Sequence, residues 1–147
     1  MLKVVLADDN IIDLESLCEV LQNIKNIELV ATFSNGEDAL EYIKSNPVDI
    51  LVTDAQMPRM DGITLIENLR MLNFDTKVIM VSAYNDFDNA KRAIGLDVVD
   101  FVMKPVIDTE LEDALIEAAK KCNVNVIEKD TYNQMLKKIK ESEDFIK

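Results

Sequence analysis

The sequence lacks histidine and tryptophan, and it has only two cysteines, Cys18 and Cys122, among its 147 residues. Without histidine, the chain has no imidazole that can serve as a metal ligand or as a general base. The two cysteines follow no metal-ligand spacing, and we predict that both are reduced thiols, with Cys18 packed in the core. We therefore expect any metal site in this chain to have oxygen ligands only.

Long apolar runs and positive charge are also scarce. No apolar run approaches the ~18 residues of a transmembrane helix. The N-terminal stretch MLKVVLADD is not a signal peptide, because its apolar run is too short and is followed at once by two aspartates. The chain has 16 Lys plus Arg against 28 Asp plus Glu, a formal net charge of −12. Nucleic-acid binding needs clustered Lys and Arg. We therefore expect a cytoplasmic protein that binds neither membranes nor nucleic acid directly, and whose charge suits cations or basic partners.

Apolar residues are plentiful, at 48% of the chain, and they form five short runs rich in Val, Ile and Leu. Several runs lack polar alternation, which is typical of strands buried on both faces of a parallel sheet. Amphipathic segments separate them, so the alternation predicts an α/β fold for residues 1–121 with a doubly wound, five-stranded parallel sheet. The predicted strands are Lys3–Ala7, Ile27–Phe33, Asp49–Thr53, Lys77–Val81 and Val98–Met103.

Several helix starts carry sequence signals of their own. Ser34 with Glu37 and Thr109 with Glu112 have the spacing of capping boxes, in which two side chains satisfy the first free amides of a helix. Asn85 or Asp86 is expected to cap the fourth helix.

Residues 122–147 differ from the rest of the chain, because the whole net charge falls in the first 127 residues. Their apolar side chains recur at helical spacing, which predicts an amphipathic helix outside the main core. Two interpretations stay open: a helix that pairs with another chain or leads onward, and a frayed helix on the surface. The apolar residues are Tyr132, Met135, Leu136, Ile139 and Ile146.

Charged and polar side chains stand where the predicted strands end. Asp8 and Asp9 follow the first strand, Asp54 ends the third within ILVTDAQMPRMDG, Ser82 follows the fourth and Lys104 the fifth. Carboxyl ends of parallel strands meet at one edge of a sheet, where ligands bind. Two carboxylates ~4 Å apart repel by about 4 kcal/mol at an effective dielectric constant of ~20. Three together require a cation, and oxygen ligands favour a hard ion such as Mg²⁺.

Each signal also has a simpler interpretation when it is taken alone. Asp9, Asn10 or Asp13 can cap the first helix, the strand-end hydroxyl can belong to an ordinary loop, and the strand-end lysine can be solvated. Asp61-Gly62 is typical of a turn in which glycine supplies a positive φ. The joint placement of these groups at four strand ends favours a site.

A carboxylate beside a divalent cation and a lysine can attack phosphorus and form an acyl phosphate. Asp54 is the candidate nucleophile, and the cation and Lys104 would neutralise the phosphoryl oxygens. Ser82 and backbone N–H groups after Asp54 can then hold the new phosphoryl group. An enzyme of the phosphatase or phosphotransferase type with an aspartyl-phosphate intermediate needs the same groups, so this alternative stays open.

Four motifs occur in order after the corresponding strands: Asp8-Asp9, the pattern D-x-x-M-P-x-M-D-G over residues 54–62, Ser82-Ala83 and Lys104-Pro105. With them the chain, from Met1 to about Lys121, resembles the receiver domain of bacterial two-component response regulators. The resemblance implies a (βα)5 flavodoxin-like fold with strand order 2-1-3-4-5.

The resemblance also implies a role for each site residue. Asp54 would be the phosphoacceptor and would take its phosphoryl group from a sensor histidine kinase. Apart from this phosphotransfer to its own Asp54, the chain would not be an enzyme. Ser82 and Lys104 would contact the phosphoryl group. The implied Mg²⁺ ligands are Asp8, Asp9, Asp54 and the backbone carbonyl oxygen of Gln56.

Switching is implied as well. Ser82 and Phe101 would turn inward together on activation, and the fourth helix, fifth strand and fifth helix would present the changed face to an output domain of the same protein or to a homodimer partner. The peptide bond before Pro105 is usually cis in this family. The residues implied to flank the site are Tyr84, Met57, Pro58, Ala83 and Pro105.

The stretch SAYNDFDNAKRAI, residues 82–94, looks like receivers joined to AraC-type DNA-binding output domains. We expect residues 122–147 to be a linker with an extra amphipathic helix that leads to such a domain, which this chain does not contain. Two positions depart from the family. Asp97 stands where glycine is usual, and we expect it to adopt a left-handed conformation at some cost unless Gly95 shifts that turn. Phe101 lacks the hydroxyl of the commoner tyrosine. A receiver-like interaction module that is never phosphorylated is the remaining alternative.

Overall fold

The computed structural model describes residues 1–83, 86–122 and 134–141. Strands and helices alternate along residues 1–122, and the observed strand bounds differ from the predicted ones by no more than two residues. The elements are β1 (Leu2–Ala7), α1 (Ile11–Gln22), β2 (Ile27–Phe33), α2 (Gly36–Ser45), β3 (Ile50–Asp54), α3 (Gly62–Met71), β4 (Lys77–Ala83), α4 (Phe87–Gly95), β5 (Asp100–Lys104) and α5 (Asp108–Lys121).

The five strands form one parallel sheet in the order β2-β1-β3-β4-β5. This is the doubly wound flavodoxin-like arrangement, so the predicted fold class and strand order are confirmed. The order reverses between β1 and β3, where Val4 lies opposite Ile50, and β3 continues to β4 with Asp54 opposite Val81. In such sheets the crevice at the reversal, outside the carboxyl ends of the strands, is where ligands bind.

Each face of the sheet has its own helix layer. In β1, Val4 and Leu6 pack with Leu17 of α1 and Leu115 of α5, whereas Val5 packs in the layer of α2, α3 and α4. All five side chains are buried, and each fully buried aliphatic side chain stabilises the fold by about 1.5–3 kcal/mol. The two layers hold the strands rigidly, and with them the residues at the carboxyl edge.

Two predicted capping boxes are wrong. Asn35 caps α2 by accepting a hydrogen bond from the Asp38 N–H at 2.8 Å, one residue later than the predicted Ser34. Helix α5 begins at Asp108, so Thr109 lies inside the first turn and is not the cap. Asn and Ser cap helices about equally well, so the pattern alone does not determine which of two neighbours begins the helix.

The turn before α3 corrects the role predicted for Gly62. Among the described residues no glycine has a positive φ, and the left-handed residue of this turn is Arg59, with φ 67°. Gly62 is required for space instead, because a Cβ there would lie 2.1 Å from the backbone oxygen of Asp54. Asp61 caps α3 by accepting a hydrogen bond from the Thr64 N–H at 2.7 Å. The start of α3 thus packs directly against the strand end that carries Asp54.

Of the segment beyond α5, residues 134–141 are described, and they form an exposed helix. Met135, Leu136 and Ile139 are exposed on it. Tyr132 and Ile146, which the sequence places on the same apolar face, lie outside the described residues. No helix in the described part of the chain is long and apolar enough to cross a membrane.

Candidate functional site

The carboxyl edge of the sheet carries an open cleft of about 660 Å³. Asp54 is the last residue of β3, Ser82 lies near the end of β4, and Lys104 is the last residue of β5. Loop residues after β1 and β3 complete the walls. Residues lining the cleft include Asp9, Asp13, Asp54, Gln56, Ser82 and Lys104.

Three carboxylates gather in this cleft. Asp8, Asp9 and Asp54 each offer an oxygen atom, and the three atoms lie within 4.8 Å of one another. Asp8 is buried, and its Oδ1 accepts a hydrogen bond from the Asn10 N–H at 2.9 Å. Its buried Oδ2 lies 2.9 Å from Lys104 Nζ. A donor set made of oxygens only fits a hard divalent cation such as Mg²⁺.

Lys104 links three of the acidic side chains. Its Nζ lies 3.0 Å from Asp54 Oδ2, 2.9 Å from Asp8 Oδ2 and 2.8 Å from Asp13 Oδ2. Burial acts to lower the pKa of Lys104, but the contacts with Asp13, Asp8 and Asp54 outweigh burial and raise the pKa above its ordinary value. Lys104 is therefore a permanent positive charge in the cleft.

Asp13 is the site residue that sequence reasoning missed. The sequence offered it as a cap of α1, but Asn10 performs that role by accepting hydrogen bonds from Ile12 N–H and Asp13 N–H at 3.0 and 3.1 Å. The Asp13 carboxylate instead reaches Lys104. Side chains in a first helical turn tilt back toward the helix N-terminus. Applied to a helix that starts at the carboxyl edge of the sheet, this rule would have predicted that Asp13 is a site residue.

Burial is the main cause of a raised pKa at Asp8, and the neighbouring charge of Asp54 raises it further. The hydrogen bond from the Asn10 N–H and the contact with Lys104 act in the opposite direction without cancelling the rise. The ionised form of Asp8 is thus costly in this cleft. A bound cation would favour that form.

The loop after β3 shapes the surroundings of Asp54. Its Oδ1 accepts a hydrogen bond from the Gln56 N–H at 3.3 Å, and Gln56 itself is exposed. Met57 is buried and Pro58 exposed, and both line the cleft. The Gly62 N–H donates to the Ala55 carbonyl oxygen at 2.9 Å, which closes the loop. The closed loop after β3 therefore holds Asp54 in place, and Asp54 lines the cleft.

The remaining predicted residues lie around this centre. The Ser82 side chain is buried at the cleft wall, and its hydroxyl donates to Asp86 Oδ2 at 2.7 Å and not to Asp54. Phe101 is half-buried against the α2–α3–α4 layer. Ala83 is exposed at the cleft wall, and the Lys104–Pro105 peptide is cis, as the resemblance implies. Tyr84 lies outside the described residues.

A doubly wound sheet with an acidic, lysine-containing cleft at its carboxyl edge defines a class of α/β domains whose site suits an anionic group beside a hard cation. Residues 4–116 match the family described as the response regulator receiver domain. The chain belongs to this family.

Relatives with known descriptions cover the same region. A protein-glutamate methylesterase/protein-glutamine glutaminase of Hydrogenovibrio crunogenus is 38% identical over 124 residues, which are 82% of this chain and 33% of that protein. Transcriptional regulatory protein HptR of Staphylococcus aureus is 34% identical over 113 residues, 76% of this chain and 44% of that protein. The solved REC domain of AraT, a response regulator from Geobacillus stearothermophilus, has a TM-score of 0.75 and 34% identity, and the match covers 83% of this chain and 95% of that chain.

The chain thus spans about a third to just under half of the length of the curated relatives it matches. One of these relatives is described as a methylesterase and another as a transcriptional regulator. The similarity therefore identifies a phosphoacceptor signalling receiver, and the activity coupled to it is a separate question.

Proposed function

We propose that the chain takes a phosphoryl group from a sensor histidine kinase onto Asp54, with Mg²⁺ as cofactor, and that this modification switches an output. One observation carries the proposal: Asp54 ends a buried strand with Lys104 Nζ at 3.0 Å and with Asp8 and Asp9 close enough to share a cation. The cytoplasm is the proposed place of action, which the two free cysteines, Cys18 and Cys122, support.

In the proposed step, a carboxylate oxygen of Asp54 forms a bond to phosphorus while the bond from phosphorus to the kinase imidazole breaks, and the imidazole leaves with the electron pair. Lys104 neutralises charge on the phosphoryl oxygens, and the N–H groups after Asp54 orient them. Mg²⁺, when bound, would supply further neutralisation of that charge. Asp8, Asp9, Asp54 and the Gln56 carbonyl oxygen are its proposed ligands.

The charges in the cleft support a requirement for the cation. Asp8, Asp9, Asp13 and Asp54 bring four negative charges and Lys104 one positive charge. A divalent cation leaves one net negative charge in place of three. An incoming phosphoryl donor is itself an anion, so it would meet far less repulsion once the cation is bound.

The proposed output surface is the face of α4, β5 and α5, with Ser82 and Phe101 as the switch residues. Ile94 of α4 is 76% exposed and Met103 of β5 is 45% exposed, and apolar side chains of this kind support an interface. The occupant is an output domain or a homodimer partner. The stretch of residues 82–94 supports an AraC-type DNA-binding output, reached through residues 122–147, and the match to HptR supports transcriptional regulation.

The test is incubation of the whole chain with acetyl phosphate and Mg²⁺, followed by intact-mass measurement. Wild type is expected to gain one phosphoryl group, and Asp54→Asn to gain none, because the nucleophile is lost. Asp75→Asn is the matched control, since Asp75 is an exposed aspartate, and it should be modified like wild type. A phosphoryl adduct that survives Asp54→Asn would overturn the assignment.

The same experiment separates the alternatives. A phosphatase or phosphotransferase enzyme would release phosphate from a phosphate ester over many turnovers, whereas the proposed receiver catalyses only its own modification. A receiver-like interaction module would show no adduct on wild type. The placement of Asp54 at the end of β3, with its full set of acidic neighbours, favours the receiver over both alternatives.

A further inference from the structure

The junction between β4 and α4 contains a hydrogen-bonded cluster at the wall of the acidic cleft. One oxygen of Asp86, Oδ2, accepts from the Ser82 hydroxyl at 2.7 Å and from Asn89 Nδ2 at 2.6 Å. Ser82 belongs to β4, and Asn89 lies in the first turn of α4. Asp86 therefore connects the strand that carries the switch serine to the helix that follows it.

Asp86 stands at the N-cap position of α4, yet its carboxylate makes no capping hydrogen bond. The corresponding residues of the three preceding helices, Asn10, Asn35 and Asp61, all accept hydrogen bonds from amides of their own first turns. The sequence predicts a cap at Asn85 or Asp86. In the structure, the Asp86 side chain is engaged by Ser82 and by the Asn89 side chain instead.

This engagement favours the ionised carboxylate. Burial acts to raise the pKa of Asp86, but the hydrogen bonds from Asn89 and Ser82 outweigh burial and lower the pKa below its ordinary value. The backbone N–H of Asn89 acts in the same direction although it does not have hydrogen-bond geometry. Asp86 is thus a charged acceptor, and hydroxyl bonds to charged acceptors are about twice as strong as neutral ones.

The Ser82 hydroxyl has one hydrogen to donate. It cannot donate to Asp86 and to a phosphoryl oxygen on Asp54 at the same time. We propose that Asp86 is a positioning residue that holds Ser82 away from the phosphorylation site, and that Asp86 turns to cap α4 when Ser82 moves to the phosphoryl group. The inference rests on the proposed function, because it requires phosphorylation of Asp54.

The exchange would connect the modification to α4. Capping lowers the free energy of a helix by satisfying an amide that otherwise has no partner within the helix. When Asp86 is released, the Asn89 N–H becomes available to its carboxylate, so the first turn of α4 gains a hydrogen bond at the same moment that β4 loses one. In this way a change at Asp54 reaches the start of the proposed output face.

The test compares Asp86→Ala with Asp88→Ala in the whole chain. Asp88 is an exposed aspartate in the same first helical turn, so its substitution removes the same charge without touching Ser82. With acetyl phosphate and Mg²⁺, Asp86→Ala is expected to be phosphorylated roughly 2- to 10-fold faster than wild type, the range that release of one competing hydrogen bond allows. Asp88→Ala is expected to stay close to the wild-type rate.

Two further comparisons distinguish a positioning role of Asp86 from a general structural effect. In a Ser82→Ala background, Asp86→Ala should have no effect on the rate, because there is no hydroxyl left to release. Asp86→Asn keeps the shape and an acceptor oxygen, so it should fall between wild type and Asp86→Ala, and it covers the case in which the alanine variant fails to fold.

The outcomes are distinguishable. If wild type is phosphorylated, either of two results would overturn the inference. One is an equal rate of phosphorylation for Asp86→Ala and Asp88→Ala, and the other is a faster rate for Asp86→Ala that persists when the Ser82 hydroxyl is removed. No adduct on wild type would overturn the proposed function itself. Hydrogen exchange of residues 86–95 adds a second readout: phosphorylation should slow exchange at the Asn89 amide in wild type and leave it unchanged in Asp86→Ala.

Discussion

Lys104 contacts the carboxylates of Asp54 at the end of β3, Asp8 in the loop after β1 and Asp13 in α1. The contact with Asp13 is the shortest of the three, at 2.8 Å. A phosphoryl group on Asp54 must attract the same ammonium group. Asp13 therefore competes with the phosphoryl group for Lys104, in the same way that Asp86 competes for Ser82. Both competitors are acidic residues at the start of a helix, and neither belongs to the strand-end motifs that identify the family.

At the scale of single residues, we predict that Asp13→Ala accelerates phosphorylation of the chain by acetyl phosphate. Lys104 loses one competing partner, and the cleft loses one negative charge. The expected rise in the initial rate is roughly two- to tenfold, corresponding to one hydrogen bond of this kind. Intact-mass time courses measure the rate.

Glu15→Ala is the control for Asp13→Ala, because Glu15 is an exposed acid on the same helix that makes no contact with Lys104. An equal gain in Glu15→Ala would mean that net charge, and not the contact with Lys104, is responsible. A gain that disappears at high salt would point to the same conclusion, since salt screens exposed charges most strongly.

The helices and strands are held in place by contacts that the hydrophobic periodicity of the sequence does not predict. Arg70, in the last turn of α3, donates to the carbonyl oxygens of Phe74 and Thr76 at 3.1 and 2.9 Å and to that of Leu96 at 3.0 Å. It thus joins α3 to the start of β4 and to the end of α4. Next to Leu96, Asp97 adopts the predicted left-handed conformation, with φ 58°.

We predict that Arg70→Ala lowers the free energy of unfolding by roughly 2–4 kcal/mol, because four carbonyl groups, including that of Asp97, lose a charged donor. Arg70→Lys should recover little of this loss, since one ammonium group does not reproduce the planar fork of a guanidinium. Urea unfolding measures the change. Phosphorylation by acetyl phosphate should remain, because Arg70 is not in the cleft.

Arg92→Ala is the matched control for Arg70→Ala. Arg92 forms an exposed ion pair with Glu67, in which both side chains are more than 40% exposed. Such surface pairs contribute about 0–1 kcal/mol. A similar loss in both variants would show that the position of Arg70 between elements is not what matters.

At the scale of the whole molecule, the buried Asp8 carboxylate links stability to pH and to metal. Its pKa is raised in the folded chain, mainly by burial. The folded state therefore binds this proton more tightly than the unfolded state does. The resulting stabilisation is complete below the ordinary carboxyl pKa and is lost as the pH rises through the folded-state value.

We predict that Asp8→Asn raises the urea midpoint at neutral pH without divalent cations, because the variant no longer buries this charge. The gain should shrink below the ordinary carboxyl pKa, where wild-type Asp8 is protonated in both states. Added Mg²⁺ should stabilise wild type by favouring its folded state, and should have a much smaller effect on Asp8→Asn.

Glu15→Gln is the control here, since it removes an equal but exposed charge. If Glu15→Gln raised the midpoint as much as Asp8→Asn, relief of the net charge of −12 would be sufficient to explain the effect. If Mg²⁺ stabilised Asp8→Asn as much as wild type, Asp8 would not be a ligand.

The sequence by itself determined the fold class, the strand order through its family resemblance, and the gathering of Asp8, Asp9, Asp54 and Lys104. It could do so because hydrophobic periodicity sets the element type, and because parallel strands necessarily bring their carboxyl ends to one edge. Only the tertiary structure decided which side chains those residues contact. The contact of Asp86 with Ser82 and the space required at Gly62 depend on rotamers and on distances between elements, which no local pattern in the chain encodes. The contact of Asp13 with Lys104 depends on the placement of the start of α1 at the carboxyl edge of the sheet.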